Sequence, residues 1–273
     1  HRAPEPAMTH GPAPKEVLAR LELARVAARE AADVAQRAFV DPNGVERKDD
    51  GSPVTIADRA GERHLRTLIR ARFPKDAILG EEFGEEPGTS GFRWVLDPID
   101  GTVSFIRGVP LWGTMVGIEY QGKRVAGVIE MGGLDERVWG VLGEGAWHQR
   151  GGATPVRAHV RGDHTLAKAL VCTTSYDYFA KAGLGDRYER LSKAAGSTRG
   201  WSDCYAFVLL VTGKVDAVAE PWMRRWDIAA PQAIIEAAGG VCVEFALPGH
   251  GDATGCIAGS AALVDELLAI MKP

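Results

Sequence analysis

An apolar run that ends in two closely spaced carboxylates constrains this chain more than any other segment. Residues 94–102 read WVLDPIDGT. The apolar residues of 92–96 predict a buried strand, and Asp97 is expected at its end, where side chains first reach solvent. Pro98 holds the residue before it in extended backbone. Because Thr102 can begin a helix with free N–H groups, the segment predicts a strand, a turn and a helix N-terminus meeting at one point.

This turn has the chemistry of a metal site beside a phosphate site. Asp97, Asp100 and the backbone carbonyl of Ile99 could converge as three hard oxygen ligands, which Mg²⁺ prefers. Gly101 permits a close approach of the backbone to an anion. An Asx turn followed by a helix N-cap would explain a lone DPxD segment equally well, so the decision depends on other acidic residues.

Three further segments place acids at the predicted ends of elements. They are GEEFG at 80–84, WDIAA at 226–230 and KDDGSPVTIAD at 48–58. Each alone has an ordinary explanation: a solvated acidic loop, a first-turn acid against the helix dipole, or a loop before a helix. Four such signals in one chain favour a shared metal site.

The remaining hydrophobic pattern alternates between helical and strand-like segments. Helices are predicted at 15–39, 57–73, 186–195, 202–212, 227–238 and from about 261 onward. Strands are predicted at 78–79, 92–96, on both sides of a hairpin turn at 121–123, in a meander over 137–159, at 169–173 and at 216–219. The pattern predicts an α/β protein with an α+β first half.

The same pattern suggests how the chain is divided. Residues 1–14 are rich in Pro and Ala and are expected to be disordered. A boundary near 157–165 is predicted to separate an α+β metal-binding subdomain, 15–158, from an α/β substrate-side subdomain, 159–273. With 273 residues, of which 45% are hydrophobic, the chain can bury a sizeable core.

Charge and cysteine usage exclude several classes of partner. The net charge is −4 and no Lys/Arg cluster is interleaved with aromatics, which argues against nucleic acid and anionic membranes as partners. The four cysteines lack CxxC spacing, so structural zinc and a disulfide framework are not expected, and a reducing, cytoplasmic setting is. No apolar run approaches the ~20 residues of a membrane span, and no signal-peptide core is recognised.

The motifs together resemble a known family. GEEFG, WVLDPIDGT and WDIAAPQAIIEAAGG, in this order and at these separations, resemble the inositol monophosphatase family, and KDDGSPVTIAD is similar to its N-terminal motif. The resemblance extends over nearly the whole chain after about Lys15. It implies a layered αβαβα sandwich, often a homodimer, that hydrolyses small phosphomonoesters with two or three Mg²⁺ ions.

The resemblance also implies a role for each motif residue. The implied metal ligands are Glu81, Asp97, the Ile99 carbonyl, Asp100 and Asp227. The other implied roles are orientation of the attacking water by Thr102 and Asp58 with catalytic help from Glu81, phosphate binding by the Gly101 and Thr102 amides, support of the site by Glu82, and charge neutralisation near Asp58 by Lys48.

Hydrolysis by a metal-activated water also agrees with the residue types present. No Ser or Cys nucleophile has a His base nearby, and the seven histidines form no HExxH or other ligand spacing. Phosphoryl transfer requires mainly positioning and charge neutralisation, and a metal ion can lower the pKa of a bound water to about 7. Covalent catalysis is therefore not expected.

The substrate side resembles one branch of the family. FIRGVPLWGT, SDCYAFVLL and EPWMRRWD look most like histidinol-phosphate phosphatases. Inositol phosphatases typically carry His-Cys before the Trp-Asp, where this chain has Arg224 and Arg225. Glu220 and Asp203 are expected to face the body of the substrate, since two carboxylates suit the ammonium and imidazole groups of L-histidinol phosphate.

Other substrates and another class of protein remain open at this point. Glu220 could accept inositol hydroxyls, and Asp203 is nearly as well explained as a first-turn helix acid. Arg224 or Arg225 could pair with a second phosphate, as in 3′-phosphoadenosine 5′-phosphate. A binding-only regulatory partner of RNA machinery is the alternative from a different class, but all four implied acidic ligands are present and basic stripes are absent.

Overall fold

A computed structural model of the protein describes residues 12–39, 46–47, 53–201 and 203–271. The helices in this part of the chain are α1 (Pro14–Phe39), α2 (Ile56–Arg72), α3 (Thr102–Ile106), α4 (Tyr176–Lys181), α5 (Gly185–Ala194), α6 (Cys204–Val211), α7 (Arg225–Ala237) and α8 (Ala261–Met271). The strands are β1 (Glu46–Arg47), β2 (Pro53–Val54), β3 (Ala77–Gly80), β4 (Gly84–Glu86), β5 (Phe92–Asp100), β6 (Gly113–Tyr120), β7 (Lys123–Met131), β8 (Glu136–Val141), β9 (Gly145–Arg150), β10 (Val156–Ala158), β11 (Leu170–Cys172), β12 (Ser197–Arg199), β13 (Ala217–Met223), β14 (Val241–Ala246) and β15 (Thr254–Gly259).

Two large sheets and three groups of helices form five layers. The first sheet has the order β10-β9-β8-β7-β6-β5-β3-β4 and the second the order β12-β11-β13-β15-β14. Helices α1 and α2 pack on the outer face of the first sheet, and α4, α5 and α8 on the outer face of the second. Helices α6 and α7 lie between the sheets. This is the αβαβα sandwich expected from the resemblance.

Small residues allow α7 to lie unusually close to the first sheet. A Cβ atom added to Gly127 on β7 would lie 2.4 Å from the carbonyl oxygen of Ala230, and one added to Gly117 on β6 would lie 2.8 Å from the Ala229 methyl group. No side chain larger than hydrogen fits at either glycine without a shift of the backbone. The N-terminal end of α7 is thereby held next to the end of β5.

All six helices predicted from periodicity are present, with ends that differ by at most two residues. The 15–39 and 57–73 predictions correspond to α1 and α2, and the hairpin turn at 121–123 joins β6 to β7. Elements absent from the prediction include α4, β14 and β15. Residues 1–11 and Lys48 lie outside the described residues.

The prediction that Asp97 marks the end of a strand was wrong. Strand β5 continues to Asp100, and Asp97 is only 1% exposed. The register against β6 shifts between the two acids, because Asp97 pairs with Met115 and Asp100 with Gly113. This bulge replaces the predicted strand end, since it bends the strand without terminating its pairing.

The predicted boundary near 157–165 lies between the last strand of the first sheet, β10, and the first strand of the second, β11. Helix α7, from the second half of the sequence, packs against the first sheet, so the two halves share a core. The division into subdomains stays a prediction. Among the helices described, none is both long and apolar enough to cross a membrane.

Candidate functional site

A cavity of about 770 Å³ opens where the two sheets and the middle helix layer meet. Its floor contains the end of β5, and its walls come from the N-terminal ends of α3 and α7, from α4 and from the end of β13. Most of the residues singled out in the sequence line this one cavity: Glu81, Asp97, Ile99, Asp100, Gly101, Thr102, Asp203, Glu220, Arg224 and Asp227.

Three carboxylates converge at the floor of the cavity. One oxygen from each of Asp97, Asp100 and Asp227 lies within 4.8 Å of the others. Residues three apart on a regular strand point to opposite faces, so the bulge in β5 is what brings Asp97 and Asp100 to one side. Asp227 joins them from the first turn of α7, where its Oδ2 accepts the backbone N–H of Arg224 at 2.7 Å.

The carboxylates form a strongly anionic group in a poorly solvated place. Burial and then the charges of Glu81 and Asp100 raise the pKa of Asp97 well above its usual value. Burial and then the charge of Asp203 raise the pKa of Asp100 in the same way. Burial and then repulsion from Glu81 raise the pKa of Asp227 to about 8.

This donor set fits a divalent cation. Grouped carboxylate oxygens are the ligands preferred by Mg²⁺ and similar hard ions. Burial, and then mutual repulsion, raises the pKa values of Asp97, Asp100 and Asp227, and a bound cation would offset both effects by neutralising their charge. The geometry therefore supports the predicted use of these residues, and their assignment as ligands stays a prediction.

Local hydrogen bonds fix the turn after Asp97. The Asp97 Oδ1 accepts the backbone N–H of Ile99 at 3.1 Å, and the Thr102 hydroxyl donates to the Ile99 carbonyl oxygen at 3.1 Å. The Ile99 carbonyl, an implied metal ligand, thus already accepts one hydrogen bond. Gly101, which lies between Asp100 and Thr102, has a φ of 85°, which glycine adopts without strain.

Thr102 and Asp58, the two residues predicted to orient the water, form no direct hydrogen bond with each other in the described structure. The Asp58 Oδ2 instead accepts from the backbone N–H of Thr55 at 2.7 Å and from its hydroxyl at 2.6 Å, which caps helix α2. Burial raises the pKa of Asp58 to about 6, with further contributions from the charges of Glu82 and Glu81. Asp58 is therefore close to the acidic cluster, and its catalytic role stays a prediction.

Glu81 and Glu82 occupy a turn between β3 and β4. Glu81 lines the cavity, and its backbone N–H donates to the Leu96 carbonyl oxygen at 3.2 Å. Glu82 is not among the cavity-lining residues, in keeping with a supporting position. Its backbone N–H donates to a buried side chain that the sequence reasoning missed, Glu62, at 2.7 Å.

Two further acids, Glu220 on β13 and Asp203 before α6, line the cavity. Glu220 is 4% exposed, its Oε1 atom has no hydrogen-bond partner among the described residues, and burial raises its pKa to about 8. Asp203 is the N-cap residue of α6, with a φ of 55° and a ψ of −150°, a backbone conformation that residues other than glycine seldom adopt. It lines the cavity and lies just before the first turn of the helix.

The two adjacent arginines have different partners. Arg224 lines the cavity and forms an ion pair with Asp252. Arg225 donates from Nη2 to Glu119 Oε2 on β6 at 2.7 Å, and it is not among the cavity-lining residues. Of the two, only Arg224 is placed to meet a bound molecule.

Sequence reasoning missed the contribution of α4 to the cavity. Asp177, Tyr178 and Lys181 on this helix line it, together with Thr174 just before the helix and Trp222 at the end of β13. The ammonium group of Lys181 lies 4.3 Å from the centre of the Trp222 ring. The Ser-x-Asp start of α4 is a helix-start signal, but nothing in it indicates which surface the helix would face.

A second cluster of potential metal ligands, which includes a histidine, is formed by residues that do not line this cavity. Asp163, His164 and Asp216 each bring one potential ligand atom within 4.8 Å of the others. The Arg161 Nε donates to Asp163 at 2.6 Å, and Asp216 Oδ2 accepts the Leu170 N–H at 2.8 Å. The Arg161 guanidinium already offsets part of this charge, so the group is better explained as a connection between the 161–164 segment and the second sheet.

Comparisons with known proteins identify the family to which this five-layered fold and its carboxylate-lined cavity belong. The family model of the inositol monophosphatase family matches residues 17–270. A histidinol-phosphatase from Chlorobaculum parvum is 38% identical over 198 residues, 72% of this chain and 74% of that protein. A Nus factor SuhB from Pasteurella multocida is 29% identical over 93% of this chain and 96% of that protein.

A solved structure agrees with these relatives. The structure of an inositol monophosphatase from Zymomonas mobilis superposes on this one with a TM-score of 0.80 and is 31% identical in sequence. The match covers 96% of this chain and 100% of that chain. The chain belongs to the inositol monophosphatase family, whose members are metal-dependent phosphatases of small phosphomonoesters. The family and the αβαβα fold predicted from the motifs are confirmed, as is the particular likeness to histidinol-phosphatases.

Proposed function

We propose that this protein is a Mg²⁺-dependent phosphatase that hydrolyses L-histidinol phosphate to L-histidinol and phosphate. One observation carries the proposal: a single cavity contains a carboxylate cluster suited to cations and a further buried carboxylate, Glu220, contributed by the second sheet. The first suits a phosphate bound through metal ions. The second suits a cationic alcohol.

At the phosphate end, Glu81, Asp97, the Ile99 carbonyl, Asp100 and Asp227 would hold two or three Mg²⁺ ions. When bound, such ions neutralise the charge on the phosphate and promote ionisation of an attacking water. In the proposal, the Gly101 and Thr102 amides orient the phosphate oxygens. Thr102 and Asp58, with Glu81, orient the water.

At the alcohol end, the substrate carries an ammonium group and an imidazole. The Glu220 Oε1, which has no partner within the described part of the chain, can accept a hydrogen bond from either group. Asp203 adds a second negative charge on the same side of the cavity. A bound cation would relieve the burial penalty on Glu220, since opposite charge favours the ionised carboxylate. The histidinol-phosphatase relatives support the same substrate.

The substrate assignment is tested by comparing kcat/KM values with saturating Mg²⁺. We expect L-histidinol phosphate to exceed both inositol 1-phosphate and 3′-phosphoadenosine 5′-phosphate by at least about tenfold, a difference of about 1.4 kcal/mol in transition-state binding. Faster hydrolysis of inositol 1-phosphate would favour that alternative, since Glu220 can also accept its hydroxyls. Faster hydrolysis of the nucleotide would assign Arg224 to a second phosphate.

We expect Glu220→Gln to raise the KM for L-histidinol phosphate with little change in kcat. The amide keeps the shape of the side chain but removes the charge that attracts the cationic substrate. p-Nitrophenyl phosphate, which has no cationic group, is the matched control and should be hydrolysed equally by both proteins. An equal loss on both substrates would mean that Glu220 supports the fold or the metal site instead.

Thr102→Ala should lower kcat far more than it weakens Mg²⁺ binding, whereas Asp100→Ala should damage both. The reason is that Thr102 is assigned to the water and Asp100 to the metal. Steady-state kinetics together with calorimetric Mg²⁺ titrations separate the two effects. Equal losses of metal affinity in the two variants would contradict these roles.

We also propose that the protein is a homodimer and acts in the cytoplasm. Light scattering on the purified protein measures its oligomeric state. Imaging of a tagged chain in cells determines its location. A binding-only protein, for which the SuhB relative is the nearest parallel, is the alternative from another class. It would be favoured if no phosphomonoester in a Mg²⁺-supplemented screen released phosphate.

A further inference from the structure

We propose that Glu62, supported by Arg66 one turn later on α2, is a positioning residue that sets the cation affinity of the site. It does so by fixing the turn at 81–83, which carries Glu81. The inference rests on the proposed function, because it takes Glu81 to be a metal ligand.

Glu62 is fully buried and bonded to that turn. It is 0% exposed, its Oε2 accepts the backbone N–H of Glu82 at 2.7 Å, and its Oε1 accepts that of Phe83 at 3.3 Å. These two N–H groups follow Glu81 directly in the chain. The carboxylate therefore restrains the backbone on the C-terminal side of Glu81.

Arg66 completes the attachment from the same helix. Its Nε donates to Glu62 Oε1 at 2.7 Å, and its Nη2 donates to the Gly84 carbonyl oxygen at 2.5 Å. The Arg66 side chain is 6% exposed and that of Glu62 0%. A buried carboxylate is costly unless it is paired and hydrogen-bonded, and this one has a guanidinium and two amide donors.

Glycine at position 80 makes the contact possible. A Cβ atom there would lie 2.0 Å from Glu62 Oε1, so any side chain would displace the carboxylate. The first glycine of the GEEFG motif is thereby explained by the approach of Glu62 to the backbone.

The other side of Glu81 is restrained by the strand that carries the acidic cluster. The Glu81 N–H donates to the carbonyl of Leu96, the residue before Asp97. Glu81 is thus attached both to β5 and, through Glu62, to α2. Glu62 is not among the residues that line the cavity, so its influence on a bound cation would pass through Glu81.

Glu62→Gln and Arg66→Met test the inference. We expect each to raise the Mg²⁺ concentration for half-maximal activity by about tenfold, as loss of a residue supporting a metal ligand commonly does. The kcat at saturating Mg²⁺ should stay within about threefold of wild type, because the reacting groups are unchanged. Calorimetric titration of the two variants with Mg²⁺, without substrate, should show the same weakening of binding.

Arg70→Met is the matched control. Arg70 lies one turn further along α2 and pairs with Glu86 on β4; in the described structure it forms no hydrogen bond or ion pair with the 81–83 turn. It should bind Mg²⁺ like wild type. This comparison separates the loss of a positioned turn from the loss of any arginine on this helix face.

Three outcomes would be decisive. A folded Glu62→Gln or Arg66→Met protein with wild-type Mg²⁺ affinity would overturn the positioning role, even if its kcat fell. A kcat loss that added Mg²⁺ does not reverse would indicate a purely structural role and would overturn it too. A wild-type protein that neither binds Mg²⁺ nor hydrolyses any ester would instead overturn the proposed function. Should Glu62→Gln fail to fold, Arg66→Met decides the question.

Discussion

Asp97→Asn is expected to lower kcat/KM by more than about 100-fold, and thorough removal of divalent cations by EDTA should have the same effect. Loss of a residue that only supports a metal ligand costs about 10–100-fold, so loss of a charged ligand should cost more. Asp227→Asn should behave alike, because its carboxylate converges with that of Asp97. Phosphate release at saturating Mg²⁺ measures both variants.

The fold should survive the Asp97 substitution even though the residue is buried. The asparagine carbonyl can accept the Ile99 N–H as Asp97 Oδ1 does, and removal of one charge relieves the repulsion among the acids. The melting temperature without metal should therefore not fall. Asp186→Asn, an acid in the first turn of α5, is the control. Full activity in either Asp97→Asn or Asp227→Asn would contradict the metal site.

Gly101→Ala should both destabilise the protein and reduce hydrolysis by more than about 100-fold. Its φ of 85° is unfavourable for alanine, at roughly 1–2 kcal/mol. In addition, the new Cβ would lie 2.8 Å from the Leu111 carbonyl oxygen and 3.2 Å from Asp203 Oδ2. A shift here moves the turn between Asp100 and Thr102, so geometry at the phosphate end should be lost.

Gly122→Ala separates these effects. Gly122 has a similar φ of 79° in the β6–β7 hairpin, but an added Cβ would meet nothing within 4 Å. It should lose stability by roughly 1–2 kcal/mol while keeping wild-type kcat/KM. Denaturant unfolding and steady-state kinetics on both variants provide the comparison. Equal activity losses would show that backbone strain alone, and not the position of Gly101, is responsible.

Local patterns predicted those parts of the fold whose residues carry their own signal. Helices α1 and α2 have strong apolar periodicity, and the β6–β7 hairpin has a glycine turn between two β-rich runs. Strand β15 lacks a comparable β-strand pattern, because close packing against β14 requires small residues in its TGCIAG sequence. A Cβ on Gly255 would lie 2.0 Å from the Phe245 ring of β14. Only the folded pair of strands reveals why small residues are required there.

The candidate site likewise has parts that the sequence predicted and parts that it did not. The carboxylates of β5 and α7 were predicted because short, dense motifs carry them. The bulge that brings Asp97 and Asp100 to one side was not predicted, because the register of β5 depends on its partner strand β6. Glu62 was also missed. Its bonds reach Glu82 and Phe83, about twenty residues away, and a single acid inside an amphipathic helix looks like an ordinary surface residue.

The cavity draws its two ends from different layers of the fold. The phosphate end depends on the bulged strand β5 of the first sheet, whereas Glu220 and the α4 residues belong to the second sheet and its outer helices. If Glu220 contacts the alcohol as proposed, we expect substitutions around it to change which alcohol is accepted without moving Asp97 or Asp100. Under that proposal, substrate preference could be altered on one sheet while the hydrolytic groups on the other stay unchanged.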